Sequence, residues 1–524
     1  MPKPKSFLKE SKSNKKKATQ RVCSNDPSIT NTVPLTLPPK APETADEYLA
    51  PYQDVPVGVE QEEAGEKWRA GDAAKSLRFF MRAINTYDEG LSKHPSAFDL
   101  AYNKARVQYE ITQHPKLAAQ LSAPLLDVLR VALDSHRAAL DLEQDNADAL
   151  FNTAQVLTSI AEALTESKRP SDDRLSQAVK LLQEAIELFQ RCLTVQELKY
   201  TEMQEQINQM TSGEMDPAET QMQDTPPELP PADESKSSDQ QEQWAAIVEP
   251  VTKDTLVDTA VAQLEAITSL CNLLTFNPEV GVTWVEEYSS EQLQKRISAY
   301  VEGSNRHYEA NLARAKFACS LNEVLYRSGR TEVGTYSEEV SRAFGPDLDL
   351  SNDPDGLCSK ADALTSFNTA LTDLPPYEPE AFMKALSLRW QSLSAALDAL
   401  SKASKLPNAE NLPKIHLARG DVEMGRWRLG LAPWDYNMAR DNAATLLRNA
   451  QTYYRGAAAL AKRDGAADEE RDGTCKEAIA AALAGQKDKL QQLRKAAPKE
   501  LMLVAEDVVE DGWMGPGDME VLLS

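Results

Sequence analysis

The sequence has little of what metal sites and disulfide frameworks require. Its 524 residues include only six cysteines and five histidines. No two cysteines form a Cys-x-x-Cys pair, and no histidine stands at metal-ligand spacing from a cysteine. Cysteines this sparse in a long chain indicate reduced thiols in the cytoplasm or nucleus. Cys192 and Cys319 stand where small apolar residues would pack, so we expect them in the core.

Long apolar runs are also missing. None reaches the ~18 residues that a membrane-spanning helix needs. The N-terminus has no apolar stretch after its basic residues, so it does not resemble a secretory signal. We therefore expect a protein of the cytoplasm and nucleus that has no membrane contact.

The motifs of catalysis are absent as well. There is no glycine-rich phosphate loop ending in Lys-Ser/Thr, no His-Glu-x-x-His and no Gly-x-Ser-x-Gly. Neighbouring carboxylates carry no information in a chain with 81 acidic residues. We expect no catalytic residue, no metal and no cofactor, and hence a protein that is not an enzyme.

Positive charge is scarce outside the N-terminus. The formal net charge is −24, yet residues 1–21 hold eight basic side chains and one acid, and the rest of the chain has 49 basic and 80 acidic residues. This balance argues against direct binding of nucleic acid and favours a basic partner, because an acidic surface attracts cationic chains. The alternative is that the acidity only keeps the protein soluble.

Composition divides the chain into five parts. Residues 1–60 are rich in Lys, Ser, Thr and Pro and are predicted to be a disordered basic arm. Residues 61–202 and 244–498 are predicted to be helical repeats, separated by an acidic, proline-rich disordered insertion at 203–243. Residues 499–524 have no basic residue after Lys499 and are predicted to be an irregular acidic tail.

A lysine cluster lies within the basic arm. Lys15, Lys16 and Lys17 are adjacent and have further basic residues on both sides. Such a cluster fits a nuclear localisation signal. A plain solvated tail is the alternative.

Internal repeats give the strongest signal of fold. A small residue is followed four positions later by an aromatic residue and three positions after that by another small one, which places all three on one helix face. The pattern recurs along the chain: at Ser76, Phe80 and Ala83; Ala132, His136 and Ala139; Ala185, Phe189 and Cys192; Ala363, Phe367 and Ala370; and Ala450, Tyr454 and Ala457. Together with apolar residues at three- and four-residue steps, it predicts an all-α stack of helical hairpins. A generic helical bundle is the alternative.

These hairpins resemble tetratricopeptide repeats. The stretch 137–154 resembles the junction between two such repeats, and Gly71-Asp72 resembles the turn inside one. The period departs from that family, since Ser76 and Ala132 are 56 residues apart and the standard repeat has about 34. We therefore expect a tetratricopeptide-like solenoid with elongated repeats.

The resemblance implies a concave face lined by the first helix of each pair. Its predicted partner-binding residues are Asp99, Tyr102, Arg106, Tyr109, Asp148, Phe151 and Gln155. Acids and aromatics together suit a Lys/Arg-rich segment through ion pairs and cation–π contacts. The alternative for Tyr102 and Phe151 is packing between helices.

A narrower resemblance covers the chain from about residue 60 to its end. The lysine-rich start, the repeats, the acidic insertion, the segment 249–260 and the acidic tail are together similar to the fungal assembly chaperones of large-subunit ribosomal protein L-four. The resemblance implies that the protein binds the extended basic loop of newly made L-four, shields it, and escorts it to pre-ribosomes in the nucleus. We expect the free protein to be monomeric.

Two other functions remain open. One is an adaptor that docks the acidic tails of heat-shock chaperones, for which Asn103, Lys104, Arg106 and Asn152 offer part of a carboxylate clamp. The other is a scaffold subunit of a nuclear complex.

Overall fold

The structure is a computed structural model that describes residues 42–49, 57–166, 170–212, 250–277, 281–288 and 294–524. In these ranges it contains 22 α-helices and no β-strand, so the predicted all-α class is confirmed. None of the described helices is both long and apolar enough to cross a bilayer.

The first part of the chain forms eight helices before residue 213. They are α1 (Ala45–Leu49), α2 (Gly58–Arg69), α3 (Ala73–Lys93), α4 (Phe98–Gln113), α5 (Pro115–Ala118), α6 (Leu125–Leu142), α7 (Ala147–Leu164) and α8 (Asp172–Ser212).

Fourteen helices follow from residue 250 onward. They are α9 (Lys253–Leu274), α10 (Val282–Tyr288), α11 (Gln294–Val301), α12 (His307–Arg327), α13 (Val333–Ala343), α14 (Pro354–Asp373), α15 (Pro379–Ala403), α16 (Leu412–Arg428), α17 (Asn437–Asp441), α18 (Ala443–Asp464), α19 (Ala467–Leu483), α20 (Asp488–Ala496), α21 (Pro498–Glu510) and α22 (Pro516–Leu523).

Consecutive long helices pair into hairpins. The packed pairs are α2 with α3, α4 with α6, α7 with α8, α12 with α13, α14 with α15, and α16 with α18. Successive pairs also pack on each other, through the contacts of α3 with α4, α6 with α7 and α15 with α16. The α9 helix packs on both α8 and α12 and so connects the pair before it to the pair after it. Each unit therefore contacts its neighbours in sequence, which is how a helical-repeat solenoid buries its core.

Side-chain contacts between the first helices of neighbouring pairs fix the repeat length. Arg69 pairs with Glu110 at a separation of 41 residues. Tyr109 bonds Ser159, 50 residues on, and Arg327 bonds Asp373, 46 residues on. The spacing exceeds the ~34 residues of a standard tetratricopeptide repeat, so the predicted elongated repeats are confirmed.

The repeated small–aromatic–small pattern identifies the core. Phe80, Phe189, Phe367 and Tyr454 are each at most 2% exposed, and the small residues around them are buried except for the half-buried Ala363. The small side chains let a neighbouring helix approach closely while the aromatic ring fills the space between them. This is the packing that the spacing predicts.

Gly420 on α16 gives a test of this packing. A Cβ atom at Gly420 would lie 2.3 Å from the ring of the buried Tyr454, whereas a Cβ at Gly71 would meet no atom within 4 Å. We expect Gly420→Ala to lower the free energy of unfolding by about 1–3 kcal/mol through overpacking, despite alanine's better helix propensity. Gly71→Ala is the control and should change it by less than ~0.5 kcal/mol. Urea denaturation of both variants compares them, and equal midpoints would contradict the close approach.

The boundary of the predicted disordered arm is corrected. Residues 1–41 and 50–56, including Lys15, Lys16 and Lys17, lie outside the described residues. Residues 42–49 do not belong to a disordered arm, because Tyr48 is 1% exposed in the core formed by α3 and α4. Its hydroxyl receives a hydrogen bond of 2.5 Å from Lys93 Nζ. The α2 helix also begins at Gly58, within the predicted arm.

The predicted insertion also begins too early. The α8 helix continues to Ser212, ten residues into the range assigned to the insertion, and residues 213–249 lie outside the described part. Residues 203–212 contain no proline or glycine and several Gln and Glu residues, which are good helix formers. Helix propensity therefore outweighs the acidic composition up to Gly213.

The prediction of an irregular tail is wrong. Residues 498–510 and 516–523 form α21 and α22. Leu501, Val504, Ala505 and Val508 recur at helical spacing and are at most 2% exposed, and Trp513 is 3% exposed. Charge alone suggested an exposed tail, but these apolar residues bury a complete face of α21.

Candidate functional site

The predicted site lies on two first helices that run side by side. Asp99, Tyr102, Arg106 and Tyr109 are on α4, and Asp148, Phe151 and Gln155 are on α7. The Asn146 side chain caps α7 by accepting from the backbone N–H groups of Asp148 and Ala149, each at 3.1 Å. This cap fixes where α7 starts and therefore which face Asp148 occupies.

The two tyrosines of α4 join it to its neighbours. Asn152 Nδ2 donates to the Tyr102 hydroxyl at 2.6 Å, and the hydroxyls of Tyr109 and Ser159 lie 2.9 Å apart. The Tyr109 ring also meets His136 of α6 edge-on at 6.3 Å. Burial raises the pKa of Tyr109 to about 12. Both tyrosines therefore hold helices together, and little of Tyr109 remains for a partner.

The two predicted residues in the middle of α7 are also engaged within the fold. The Phe151 ring packs edge-to-face on Phe189 of α8 at 5.5 Å. The backbone carbonyl of Gln155 accepts a hydrogen bond from the Tyr109 hydroxyl at 3.4 Å. The alternative of packing between helices thus describes Phe151, which is half-buried.

Arg106 forms an ion pair within the fold. Its guanidinium donates to Glu62 of α2, which is 6% exposed and also accepts from the Tyr87 hydroxyl at 2.5 Å. Burial raises the pKa of Glu62, and Arg106 opposes that rise. The pair is internal, so Arg106 offsets Glu62 and leaves the exposed acids of α4 and α7 uncompensated.

The exposed acids form a group that we name the acidic edge: Asp46, Asp99, Glu143 and Asp148. Burial raises the pKa of Asp99 most, and the charges of Glu143 and Asp46 raise it further. Among the described residues, none of the four forms an ion pair. Glu143 and Asp46 therefore repel Asp99, and a cation placed beside Asp99 would relieve that repulsion.

Acids recur at the equivalent place along the solenoid. The second residue is an aspartate in α4, α7, α9 and α14, namely Asp99, Asp148, Asp254 and Asp355. An acid in the first turn interacts favourably with the helix dipole, typically by about 0.3–1 kcal/mol. That local role accounts for one acid per helix.

Sequence reasoning missed Asp46 and Glu143. Asp46 was assigned to the disordered arm, and Glu143 follows the end of α6 in a loop. The buried Tyr48 two residues after Asp46 was the available signal, because an aromatic residue beside Ala45 and Leu49 can anchor a short helix.

His136 gives a pH test of the packing under the site. It is fully buried, and burial lowers its pKa from 6.5 to about 4. The unfolded chain therefore binds one more proton than the folded chain between these pH values, so stability falls as the pH drops from 6.5 towards 4. We expect a loss of about 2 kcal/mol between pH 6.5 and 5 from this residue. His136→Phe should reduce the dependence by that amount in urea denaturation at both pH values, and an unchanged slope would refute the burial.

The described cysteines are unreactive. Cys192, Cys271, Cys319, Cys358 and Cys475 form no disulfide and are buried. Burial raises the pKa of Cys475 to about 11 and those of Cys192 and Cys358 to about 12, so they remain protonated thiols. In the described ranges no three His, Cys, Asp or Glu side chains are grouped to hold a metal ion.

The fold and the site define the class: an all-α helical-repeat protein that has an acidic edge in its N-terminal part. No family model matches the chain. A stretch of 69 residues is 38% identical to the UPF0656 protein C926.02 of Schizosaccharomyces pombe; it covers 13% of this chain and 14% of that relative. Among solved structures, a circular tandem repeat protein with novel repeat topology and enhanced subunit contact surfaces matches over 89% of this chain and 81% of its own, with 12% identity and a TM-score of 0.17.

Proposed function

We propose that this protein is a dedicated assembly chaperone that binds and shields the basic loop of newly made ribosomal protein L-four and escorts it to nuclear pre-ribosomes. The observation that carries the proposal is the acidic edge, whose carboxylates form no ion pair among the described residues and in which burial, Glu143 and Asp46 raise the pKa of Asp99. A lysine- or arginine-rich segment is the ligand that such a surface favours.

The proposed role is to supply the negative charge that RNA later supplies to the loop. A basic loop that later lies among RNA phosphates is surrounded by negative charge in its final place. Before assembly it needs another polyanionic environment to limit aggregation and stray RNA binding. A chain with a formal net charge of −24 and an aspartate at the second position of four helices provides such an environment without a catalytic step.

The adaptor alternative is less favoured because its clamp residues are already engaged. Lys104 Nζ lies 2.6 Å from Asp88 Oδ1, Arg106 pairs with Glu62, and Asn152 donates to Tyr102. A carboxylate clamp needs these donors to face an incoming tail. Lys104 and Arg106 instead link the first two hairpins, and Asn152 links the second hairpin to the third.

Purification of the tagged protein from cells distinguishes the three functions. A stoichiometric partner identified by mass spectrometry as ribosomal protein L-four is the expected result. Heat-shock chaperones as the stoichiometric partner would support the adaptor function, and a set of nuclear subunits would support the scaffold function. Absence of L-four from the eluate at low salt would overturn the proposal.

A further inference from the structure

Two arginines of the C-terminal hairpins, Arg389 and Arg428, lie near each other. Arg389, in the middle of α15, is 2% exposed and donates from Nε to Asn368 at 2.9 Å and from Nη2 to Thr372 at 2.6 Å. The ring of Trp434 lies under its guanidinium at 4.2 Å. Arg428, the last residue of α16, is half-buried and close enough to Arg389 to lower its pKa.

Neither guanidinium forms an ion pair with a residue that the structure describes. Arg389 Nη1 is buried without a hydrogen-bond partner among the described residues. Arg428 donates only to neutral carbonyls, from Nε to Gly512 at 3.2 Å and from Nη1 to Ala432 at 2.6 Å. A buried cation that faces a second cation and no paired carboxylate is costly, so its retention points to an anion that arrives from outside.

The carboxylates in the vicinity do not fill this role. Asp373 attracts Arg389, but its Oδ2 already accepts from Arg327 Nη1 at 3.0 Å. Asp518 attracts Arg428 without forming an ion pair with it in the described ranges. Positive charge therefore remains in excess at one place on a protein that is otherwise strongly acidic.

Exposed apolar side chains occur in the same hairpins. Tyr377 is 100% exposed and Met383 60% exposed beside the α14–α15 loop, and Met438 is 51% exposed in α17. The Phe382 ring stacks on Trp434 at 5.6 Å, which ties the start of α15 to the loop that follows α16. Exposed aromatic and methionine side chains next to arginine have the composition of protein-binding hot spots.

We propose that Arg389 and Arg428 bind a peptide carboxylate that is adjacent to a large apolar side chain. The carboxylate enters beside the half-buried Arg428 and accepts from Nη1 of Arg389, while the apolar side chain packs near the stacked rings of Phe382 and Trp434. The charge complementarity favours an acidic–apolar segment of a partner protein, opposite in sign to a ligand of the acidic edge. The site is independent of the proposed chaperone function.

Two matched pairs of peptides test the site on the full-length protein by isothermal titration. The first pair is acetyl-Leu-Leu as the free acid and as its amide, which mimics a chain end. The second is acetyl-Leu-Asp-Leu-amide and its Asn counterpart, which mimics an internal acid. In at least one pair, we expect the peptide with the carboxylate to bind tenfold or more tightly than its neutral counterpart. The pair that shows this difference tells whether the site prefers a C-terminal carboxylate or an internal acidic side chain. Equal affinities in both pairs would overturn the proposal.

Variants then locate the site. Arg428→Met and Arg389→Met should each abolish the discrimination, while Arg440→Met, on an exposed arginine of the same loop region, should leave it intact. Arg428 is half-buried, so Arg428→Met remains decisive if Arg389→Met fails to fold. Discrimination that survives Arg428→Met would refute the assignment. Replacing Asp99 and Asp148 by lysine should not reduce it, which separates this site from the acidic edge.

Discussion

Replacing both Asp99 and Asp148 by lysine is expected to weaken binding of the basic L-four loop by roughly 30-fold. Each reversal removes one attraction and adds one repulsion at an exposed position, with a cost of about 1 kcal/mol per site. The fold should persist, because both side chains are exposed and form no ion pair among the described residues. Isothermal titration with a synthetic peptide of the loop measures the change.

The matched control is Asp134→Lys with Asp141→Lys. Both aspartates are exposed on α6, the second helix of its pair, and the double variant changes the net charge by the same amount. If binding depended on overall charge alone, the two double variants would lose the same affinity. We expect the α6 variant to lose less than about threefold. Equal losses would remove Asp99 and Asp148 from the site.

Trp513→Ala is expected to lower the free energy of unfolding by about 3–5 kcal/mol, as for a large aromatic residue removed from a core. The Trp513 ring stacks on the buried Tyr454 at 5.9 Å, and the ammonium of Lys476 lies 5.2 Å from its centre. Lys476 also bonds Asp421 at 2.7 Å and lies 3.7 Å from Asp511. The variant therefore loosens the last helices from α19, which they cap.

Thermal unfolding and hydrogen exchange measure this effect. Tyr377→Ala is the control, because Tyr377 is 100% exposed and its replacement should cost less than about 0.5 kcal/mol. Exchange should rise in α21 and α22 of the Trp513 variant and stay unchanged around α4. An unaltered melting temperature would mean that the last two helices contribute no stability to the solenoid.

The fold class was accessible from sequence because its signal is periodic. The small–aromatic–small pattern at Phe80, Phe189 and Tyr454 depends only on helical geometry, and the structure buries all three rings. The same geometry was present at Leu501, Val504 and Val508, but the acidic composition of the tail hid it. Periodicity was the better guide there, because an amphipathic helix keeps its acids on the solvent side.

The candidate site was only partly accessible from sequence. The pattern placed the predicted residues on the right helices, yet it could not separate side chains that link neighbouring helices, such as Tyr102 and Tyr109, from exposed ones. That distinction depends on contacts between residues 50 positions apart in the sequence, such as Tyr102 with Asn152 and Tyr109 with Ser159. Asp46 joins the acidic edge only because Tyr48 anchors α1, which composition did not reveal.

The most direct test of the electrostatic account is the Kd of the complex with the basic L-four loop as salt is raised from about 0.1 M to about 1 M. Screening shortens from ~10 Å to ~3 Å over this range, so affinity that rests on the acidic edge should fall steeply. The double lysine variant of Asp99 and Asp148 should show a shallower dependence than the wild type. A Kd that stays constant across the range would contradict the account.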